Sequence, residues 1–213
     1  YAGLAYLGPW SYDKMMEWSG GYFPNFLRKY RESNNMHKRM LYTRAKLKQL
    51  EAPQEAWEEY YLAQCNDAYW HGLFGGIYIP ALRQAVYEHL IRAERIAEEH
   101  GRYYLADEVK VRGLDVDMDG REELLIETPG ATAFIKPGDG GTLFELDVKD
   151  EGLEYNLVNT MTRYPEPYLG DKGPRPDWYR RVSFREHVWR RGTRLEDLSL
   201  IHISEPTRLG MIS

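Results

Sequence analysis

The sequence predicts an α+β fold in which a helical bundle is followed by an incomplete antiparallel β-sandwich. In the first half of the chain, apolar residues recur three and four positions apart, which is the period of an amphipathic helix. From about residue 111 onward, apolar runs are short and are separated by Gly, Pro and Asp, which is typical of strands joined by turns. Hydrophobic residues make up 43 % of the 213 residues and charged residues 29 %, so a packed core is expected rather than disorder.

Three longer helices are predicted in the first half, after a short one that Ser11 caps and that runs through Trp18. The first of these three spans 34–50, and its two sides differ in polarity. Its apolar side is predicted to consist of Met36, Met40, Leu41, Ala45 and Leu47. Its solvent side is predicted to consist of Lys38, Arg39, Arg44, Lys46 and Lys48. The second helix begins at 53 and runs to about 66, and the third spans 80–100. Gly101 then suits a left-handed residue that ends the third helix.

Four runs in the second half predict strands, namely LLIE, TAFIKPG, TLFELDV and YNLVNTM. Asp119-Gly120 predicts a hairpin between VRGLDVDM and REELLIE. The Pro- and Gly-rich segment 163–178 predicts a long loop. Because the predicted strands are too few to close a sandwich and the chain begins at Tyr1, we expect it to be a piece of a longer protein.

Charge and composition argue against several classes of protein. The chain has 28 Lys and Arg against 33 Asp and Glu, a net charge of −5, whereas a nucleic-acid-binding protein is expected to be basic. No apolar run approaches the roughly 20 residues that span a bilayer, so we expect no membrane partner. The single cysteine, Cys65, excludes a disulfide framework and any zinc site that needs two thiolates.

The segment 198–213 breaks the pattern of the residues before it. Its run LSLIHISEPTR resembles the translation of a transposon-type sequencing-library adapter. We expect this tail to be an artefact that takes no part in the fold. The alternative is a genuine C-terminal strand.

An aromatic, glycine-interrupted stretch follows the second predicted helix and suggests a sugar-binding site. Its polar and aromatic residues are Asn66, Asp67, Tyr69, Trp70 and His71, followed by Gly72, Gly75 and Gly76. An exposed ring can cover the apolar face of a pyranose while amides and carboxylates bond its hydroxyls. The alternative is that these rings fill the core of the bundle, as Trp and Tyr at helical spacing usually do.

A second constellation suggests a structural calcium ion. Asp115, Asp117 and Asp119 alternate along the chain, followed by Gly120 and Glu123, and such a loop can gather oxygen ligands. The pattern fails as an EF-hand, because Ile126 stands at the twelfth position and the flanks look like strands. The alternative is a solvated Asp-Gly hairpin.

Three separated blocks of the sequence resemble glycoside hydrolase family 57, the α-amylase and 4-α-glucanotransferase group. These blocks are RESNNMHKRMLY, AQCNDAYWHGLFGGIYIP and REELLIETPGATAFIKPGDGGTLFELD, and the resemblance extends over 1–197. It implies that 1–33 is the exit segment of a truncated catalytic barrel, that 34–110 is a helical bundle domain, and that 111–197 begins a β-sandwich domain. The tail 198–213 lies outside it.

The resemblance also implies roles for particular residues. Trp70 matches a ring that lines the glucan cleft, Asp67 matches a polar contact beside it, and His71 and Asn66 are further candidates. Retaining glycosidases use two carboxylates roughly 5 Å apart, and the resemblance places both upstream of Tyr1, so no catalytic residue is expected in this chain. The other acidic candidates, Asp13, Glu17 and Glu32, are interpreted as exposed helix charges.

The function implied is therefore that of a fragment of a retaining enzyme acting on α-1,4-glucans. The parent would pass the sugar to water as an amylase, or to another glucan as a glucanotransferase, and would need no cofactor beyond the structural calcium hypothesis. The expected partner is an α-glucan or maltooligosaccharide, the expected location is the cytoplasm, and a homo-oligomeric parent is left open. The alternative is a stand-alone, non-catalytic module that binds glucan or serves as a structural spacer.

Overall fold

The computed structural model describes residues 23–70, 76–165, 176–177, 179–185 and 190–194. Within these residues, four α-helices precede five β-strands, which confirms the predicted α+β class. The helices are α1 (Phe23–Lys29), α2 (Arg31–Gln49), α3 (Gln54–Leu62) and α4 (Pro80–His100). The strands are β1 (Lys110–Leu114), β2 (Glu123–Glu127), β3 (Ala131–Lys136), β4 (Thr142–Asp150) and β5 (Leu153–Asn156).

The end of helix α4 differs from the prediction by one residue. Proline at the first helical position fixes the start of α4 as expected. At the other end, Gly101 has a φ of −78° and its amide still bonds the helix at Ala97. Arg102 takes the left-handed conformation instead, with a φ of 49°. The amides of Arg102 and Tyr103 bond back to Glu99 and Glu98, so a Schellman motif ends the helix one residue later than the glycine suggested.

The apolar core of the bundle lies where α2, α3 and α4 meet. Leu47 of α2 and Leu90 and Ile91 of α4 are fully buried there. Tyr60 of α3 and Tyr69 complete the same cluster. Burying one such side chain contributes about 1.5–3 kcal/mol to stability. The burial of this cluster therefore favours the observed packing of the three helices.

The prediction that two cations of α2 face solvent is wrong. Arg39 and Lys46 were predicted on the solvent side, yet they are only 1 % and 4 % exposed. Ala45, predicted on the apolar side, is exposed. The reason is that α2 packs on the sheet as well as on the bundle, and the sheet presents carboxylates to it.

The five strands form one antiparallel sheet in the order β1-β2-β3-β4-β5. The predicted β1–β2 hairpin is confirmed, but the pairing closes at Leu114 with Glu123, so residues 115–122 form the connection. An isolated bridge between Leu143 and Ser183 adds a later part of the chain to β4. The second sheet of the predicted sandwich does not occur within the described ranges and stays a prediction.

The face of the sheet that contacts the helices buries polar residues beside the apolar Leu125 and Phe134. One row of side chains, in register across the strands, contacts the helices and is buried. It consists of Glu127, Thr132, Asp147 and Asn156. The adjacent row on the opposite face is apolar and more exposed. It consists of Val111, Ile126, Ala133 and Leu146. A layer packed on that second face would bury it, as in a sandwich.

Several predictions fall on residues whose placement is not described. The barrel-exit segment is described only from Phe23 onward, and the tail 198–213 lies wholly outside the described residues. The proposed domain boundaries therefore stay predictions. In the described part of the chain, no helix combines the length and the apolar character that crossing a membrane requires.

Candidate functional site

The predicted sugar-binding residues lie in a short connection between α3 and α4. Asn66 and Asp67 begin a 3-10 helix, Asn66–Ala68, and both are exposed. Trp70 follows within one turn and is partly buried. His71 lies outside the described residues. The local fold therefore keeps an amide, a carboxylate and an indole ring together on one turn of the chain.

Trp70 stands at the edge of a small aromatic cluster. It packs against buried Phe26, Tyr30, Ile77 and Met161. The Tyr30 ring meets the Tyr164 ring edge-on, with 5.2 Å between their centroids. One part of the indole is therefore fixed by packing, whereas the remainder is accessible. Both interpretations of the sequence therefore apply in part, because the ring packs against the core and is also partly exposed.

The backbone at Trp70 is held by a close approach to Gly76. The carbonyl of Trp70 accepts a hydrogen bond from the amide of Ile77 at 3.0 Å. Gly76 has a φ of 44°, and a Cβ placed there would lie 2.2 Å from that carbonyl oxygen. Only glycine can occupy this position without moving the turn that carries the indole.

Tyr69, the neighbour of Trp70, has a purely structural role. Its hydroxyl donates to the carbonyl of Ala63 at 2.8 Å, and its own carbonyl accepts a hydrogen bond from the Ser33 hydroxyl. Burial raises the pKa of this phenol. Tyr69 thereby ties the candidate turn to α2 and to the end of α3.

Glu32 was interpreted as an exposed helix charge, and the structure corrects this. Its Oε2 accepts a hydrogen bond from the Tyr164 hydroxyl at 2.8 Å, and its Oε1 accepts one from the Thr162 hydroxyl at 2.6 Å. Burial, followed by the Glu32 charge, raises the pKa of Tyr164. Glu32 therefore fastens α2 to the segment after β5, a contact 130 residues apart in sequence that no local pattern could reveal.

A layer of buried ion pairs separates the helices from the sheet. Arg39 of α2 donates from Nε to Glu145 at 2.6 Å and from a terminal nitrogen to Asp147 at 3.1 Å, and it also pairs with Glu94 of α4. Burial disfavours the charge of Glu94, but the cations Arg39 and Lys46 outweigh it and lower the Glu94 pKa to about 2.

Glu145 and Asp147 are not suited to catalysis despite being neighbouring carboxyls. They are at most 1 % exposed, so no sugar can reach them. Burial, followed by the Asp147 charge, raises the pKa of Glu145, which favours its protonated form. We interpret this pair as buried hydrogen-bond acceptors for Arg39.

Three of the four predicted calcium residues come together, and Asp119 is not among them. Ligand oxygens of Asp115, Asp117 and Glu123 lie within 4.8 Å of one another. Glu123 also accepts a hydrogen bond from the amide of Val116 at 2.8 Å. Burial, followed by the Asp117 charge, raises the pKa of Glu123.

A lysine that the sequence argument missed stands among these oxygens. The ammonium of Lys136 lies 2.7 Å from Asp119 and 3.5 Å from Glu123, and it also pairs with Asp117. Its charge supplies part of what a cation would supply, so it competes with calcium for the same carboxylates. Calcium at this loop stays a prediction. The alternation of side chains along TAFIKPG could have identified Lys136, because it places this side chain on the buried face of β3.

Comparison with known proteins places both halves of the chain in one family. Residues 21–97 match the sequence model described as "Alpha-amylase/4-alpha-glucanotransferase, middle domain". Residues 115–173 match the one described as "Alpha-amylase/4-alpha-glucanotransferase, C-terminal". The two matches follow each other in the order of the helical and β parts of the structure.

Individual relatives agree with this assignment. The chain is 37 % identical over 207 residues to α-amylase 1 of Dictyoglomus thermophilum, covering 84 % of this chain and 29 % of that protein. It is 42 % identical over 186 residues to the 4-α-glucanotransferase of Thermococcus litoralis, covering 73 % of this chain and 26 % of that protein.

The crystal structure of the Thermococcus litoralis enzyme superposes with a TM-score of 0.61 at 40 % identity, over 81 % of this chain and 26 % of that one. The chain thus spans between 26 % and 36 % of the length of the curated relatives it matches. Because both described parts match consecutive domains of the same enzymes, the chain belongs to the α-amylase/4-α-glucanotransferase family, glycoside hydrolase family 57.

Proposed function

We propose that this chain forms one wall of the glucan cleft of a retaining α-1,4-glucan-acting enzyme, outside the catalytic carboxylates. The observation that carries the proposal is the consecutive match of 21–97 and 115–173 to the middle and C-terminal domains of α-amylases and 4-α-glucanotransferases. The parent enzyme would cleave an α-1,4 bond through a glycosyl-enzyme intermediate and pass the sugar to water or to another glucan.

The role of this chain would be to hold and orient the glucan. The accessible part of the Trp70 indole offers a flat apolar surface for one face of a glucose ring. The exposed Asp67 carboxylate can accept hydrogen bonds from sugar hydroxyls, and the Asn66 amide can both donate and accept. His71 stays a candidate from the sequence alone. Such contacts contribute to positioning, which matters because a reacting centre gains rate from a fixed geometry.

The proposal is tested by titrating the purified chain with maltoheptaose in a calorimeter. We expect saturable binding, and we expect Trp70→Ala to weaken it about tenfold, since a stacked ring and its desolvation contribute on the order of 1 kcal/mol or more. Trp57→Phe is the matched control, because Trp57 packs against the bundle core on α3. Equal binding by Trp70→Ala and the unsubstituted chain would contradict the proposal.

Catalysis is a separate outcome of the same preparation. We expect the chain to release no reducing sugar from starch and to transfer no maltose units. Detectable hydrolysis or transfer would show that the reacting carboxylates lie within this chain.

The second candidate function is a structural spacer without glucan contact. The packing of Trp70 against Phe26, Ile77 and Met161 supports it. The two functions differ in the accessible part of the indole, which glucan should protect from a neutral quencher such as acrylamide. For the parent protein, we further propose a cytoplasmic location. The presence of only one cysteine in these 213 residues supports this, because disulfide-rich chains are typical of secreted proteins.

A further inference from the structure

A cleft of about 580 Å³ opens at the beginning of α4, between that helix and the segment that follows β5. It lies apart from the turn that carries Asn66 and Asp67, neither of which lines it. Three arginines, Arg83, Arg163 and Arg181, line the cleft, and its described wall includes no Asp or Glu. The cleft therefore concentrates positive charge in a chain whose net charge is −5.

Arg83 is the unusual member of this group. It is only 6 % exposed, and its terminal nitrogens donate to the backbone carbonyls of Ile77 and Asn159. Its Nε has no hydrogen-bond partner, and no ion pair with a described carboxylate is found for it. Burial lowers its pKa, and the nearby Tyr87 and Glu32 offset this only in part. A buried guanidinium that makes no ion pair is costly, so an anion bound beside it would be stabilising.

Arg39 is a second buried arginine of this chain, and its surroundings are different. Both arginines are almost fully buried on neighbouring helices. Arg39 is surrounded by three carboxylates, whereas Arg83 has two neutral carbonyls. The chain therefore pairs one buried arginine with carboxylates and leaves the other without an ion pair in the wall of a cleft.

The first turn of α4 adds to the positive potential. Pro80 and Ala81 line the cleft, and this 21-residue helix has neither an acidic residue in its first turn nor a side-chain cap. The amides of Ala81 and Leu82 have no acceptor within the helix, because the first turn lacks preceding carbonyls. Oxyanions are stabilised at such a helix start.

The other two arginines differ in how far they are neutralised. Arg181 pairs with Asp177, with 2.6 Å between Nε and Oδ2. Asp177 also accepts the backbone amide of Arg163 at 2.8 Å, but no ion pair of the Arg163 side chain is found in the described ranges. Arg163 is exposed at the rim. Its guanidinium can therefore close on a ligand held by Arg83.

We propose that this cleft binds a phosphate group, either as inorganic phosphate or as the ester group of a phosphorylated sugar. Phosphate matches the planar donor arrangement of arginine and the free amides of a helix start. The cleft is larger than one phosphate, and Tyr155 in its wall offers a ring to an attached sugar. The cleft shares Tyr78 and Met161 with the cluster around Trp70, but Trp70 itself does not line it.

The experiment is calorimetric titration of the chain with inorganic phosphate, glucose 6-phosphate and glucose, at constant ionic strength set with sodium chloride. We expect saturable binding of the first two ligands and none of glucose at the same concentrations. Tighter binding of the ester than of inorganic phosphate identifies a sugar phosphate as the ligand, and equal binding identifies the phosphate group alone.

Two variants that each remove one positive charge test whether phosphate binds in this cleft. Arg163→Gln removes an exposed rim guanidinium and should weaken phosphate binding about tenfold, as expected for one charge-assisted contact. Arg102→Gln removes an exposed guanidinium at the opposite end of α4, about 30 Å away, and should change nothing. Equal affinity of the two variants, or no saturable binding of either phosphate ligand, would overturn the proposal. Glucose binding that Arg163→Gln weakens would instead assign the cleft to a neutral sugar and overturn it as well.

Discussion

The Nε of Arg39 on α2 lies 2.6 Å from Oε1 of Glu145 on β4, across 106 residues of sequence. Both side chains are 1 % exposed. This bond connects the helical part of the chain to the sheet through a buried guanidinium. Directional polar contacts of this kind help to set how the helices pack on the sheet, beside the apolar contacts of Leu125 and Phe134.

Arg39→Met is expected to lower the free energy of unfolding by about 3–5 kcal/mol, because it leaves the carboxylates of Glu94 and Asp147 buried without their partner. Urea unfolding followed by circular dichroism measures the difference. Arg44→Met is the matched control, since Arg44 is exposed on the same helix. A loss below about 1 kcal/mol for Arg39→Met, in the range of exposed ion pairs, would contradict the importance given to this layer.

Glu94 is expected to make stability fall in acid. Its pKa is about 2 in the folded chain, against about 4.5 when unfolded, so its contribution is complete above pH 4.5 and is lost as the pH falls towards 2. That contribution is about 3 kcal/mol, and Glu94→Gln should remove it at pH 7. Unfolding measured at pH 7, 5 and 3 should show the two proteins converging as the pH falls. A constant difference would contradict this.

Glu145→Gln provides the matching control for Glu94→Gln. Its pKa is raised, so the protonated form is favoured in the folded chain and glutamine resembles that form. A raised pKa contributes stability below the unfolded value and loses it as the pH rises. We therefore expect Glu145→Gln to cost less than Glu94→Gln at pH 7, and the same unfolding series measures both. An equal or larger cost would show that Glu145 is ionised.

Gly76→Ala is expected to destabilise the turn that carries Trp70, since its Cβ would overlap the Trp70 carbonyl at 2.2 Å. We expect a loss of about 2 kcal/mol or more in unfolding free energy and weaker maltoheptaose binding. Gly152→Ala separates strain from overlap, because Gly152 also has a positive φ, 77°, with nothing within 4 Å. Similar losses in the two variants would refute the role of the close contact.

Lys136→Met is expected to make the acidic loop responsive to calcium. Without the ammonium, Asp117, Asp119 and Glu123 lose their cation, so repulsion should lower the melting temperature, and calcium should restore it. In the unsubstituted chain, we expect a smaller effect of calcium after chelation. A larger calcium effect in the unsubstituted chain would favour the original calcium hypothesis.

Much of the helical part could be predicted from the sequence because its signals are local. Pro80 fixes the start of α4, and the spacing of Leu90 and the other apolar residues fixes its length. The strands were found by the same kind of reasoning, from short apolar runs ended by Gly and Pro. The family predicted from three blocks of sequence was confirmed by the two domain matches, because such blocks of residue identity can be recognised without the structure.

The candidate sites could be predicted only in part. Asn66, Asp67 and Trp70 are neighbours in sequence, so any fold of that turn keeps them together. Asp115, Asp117 and Glu123 also meet across one hairpin. Lys136 and Glu32 were missed or misread because their partners come from other elements.

The sequence by itself determined the fold class, the family and the position of the aromatic turn, since these depend on local periodicity and on blocks of residue identity. Only the tertiary structure decided which charges are buried. Arg39 and Lys46 were predicted on the solvent side of their helix, yet both are buried, and so is Arg83. Their surroundings, carboxylates for two of them and a cleft for the third, are set by contacts between distant elements, and a helical period carries no information about those contacts.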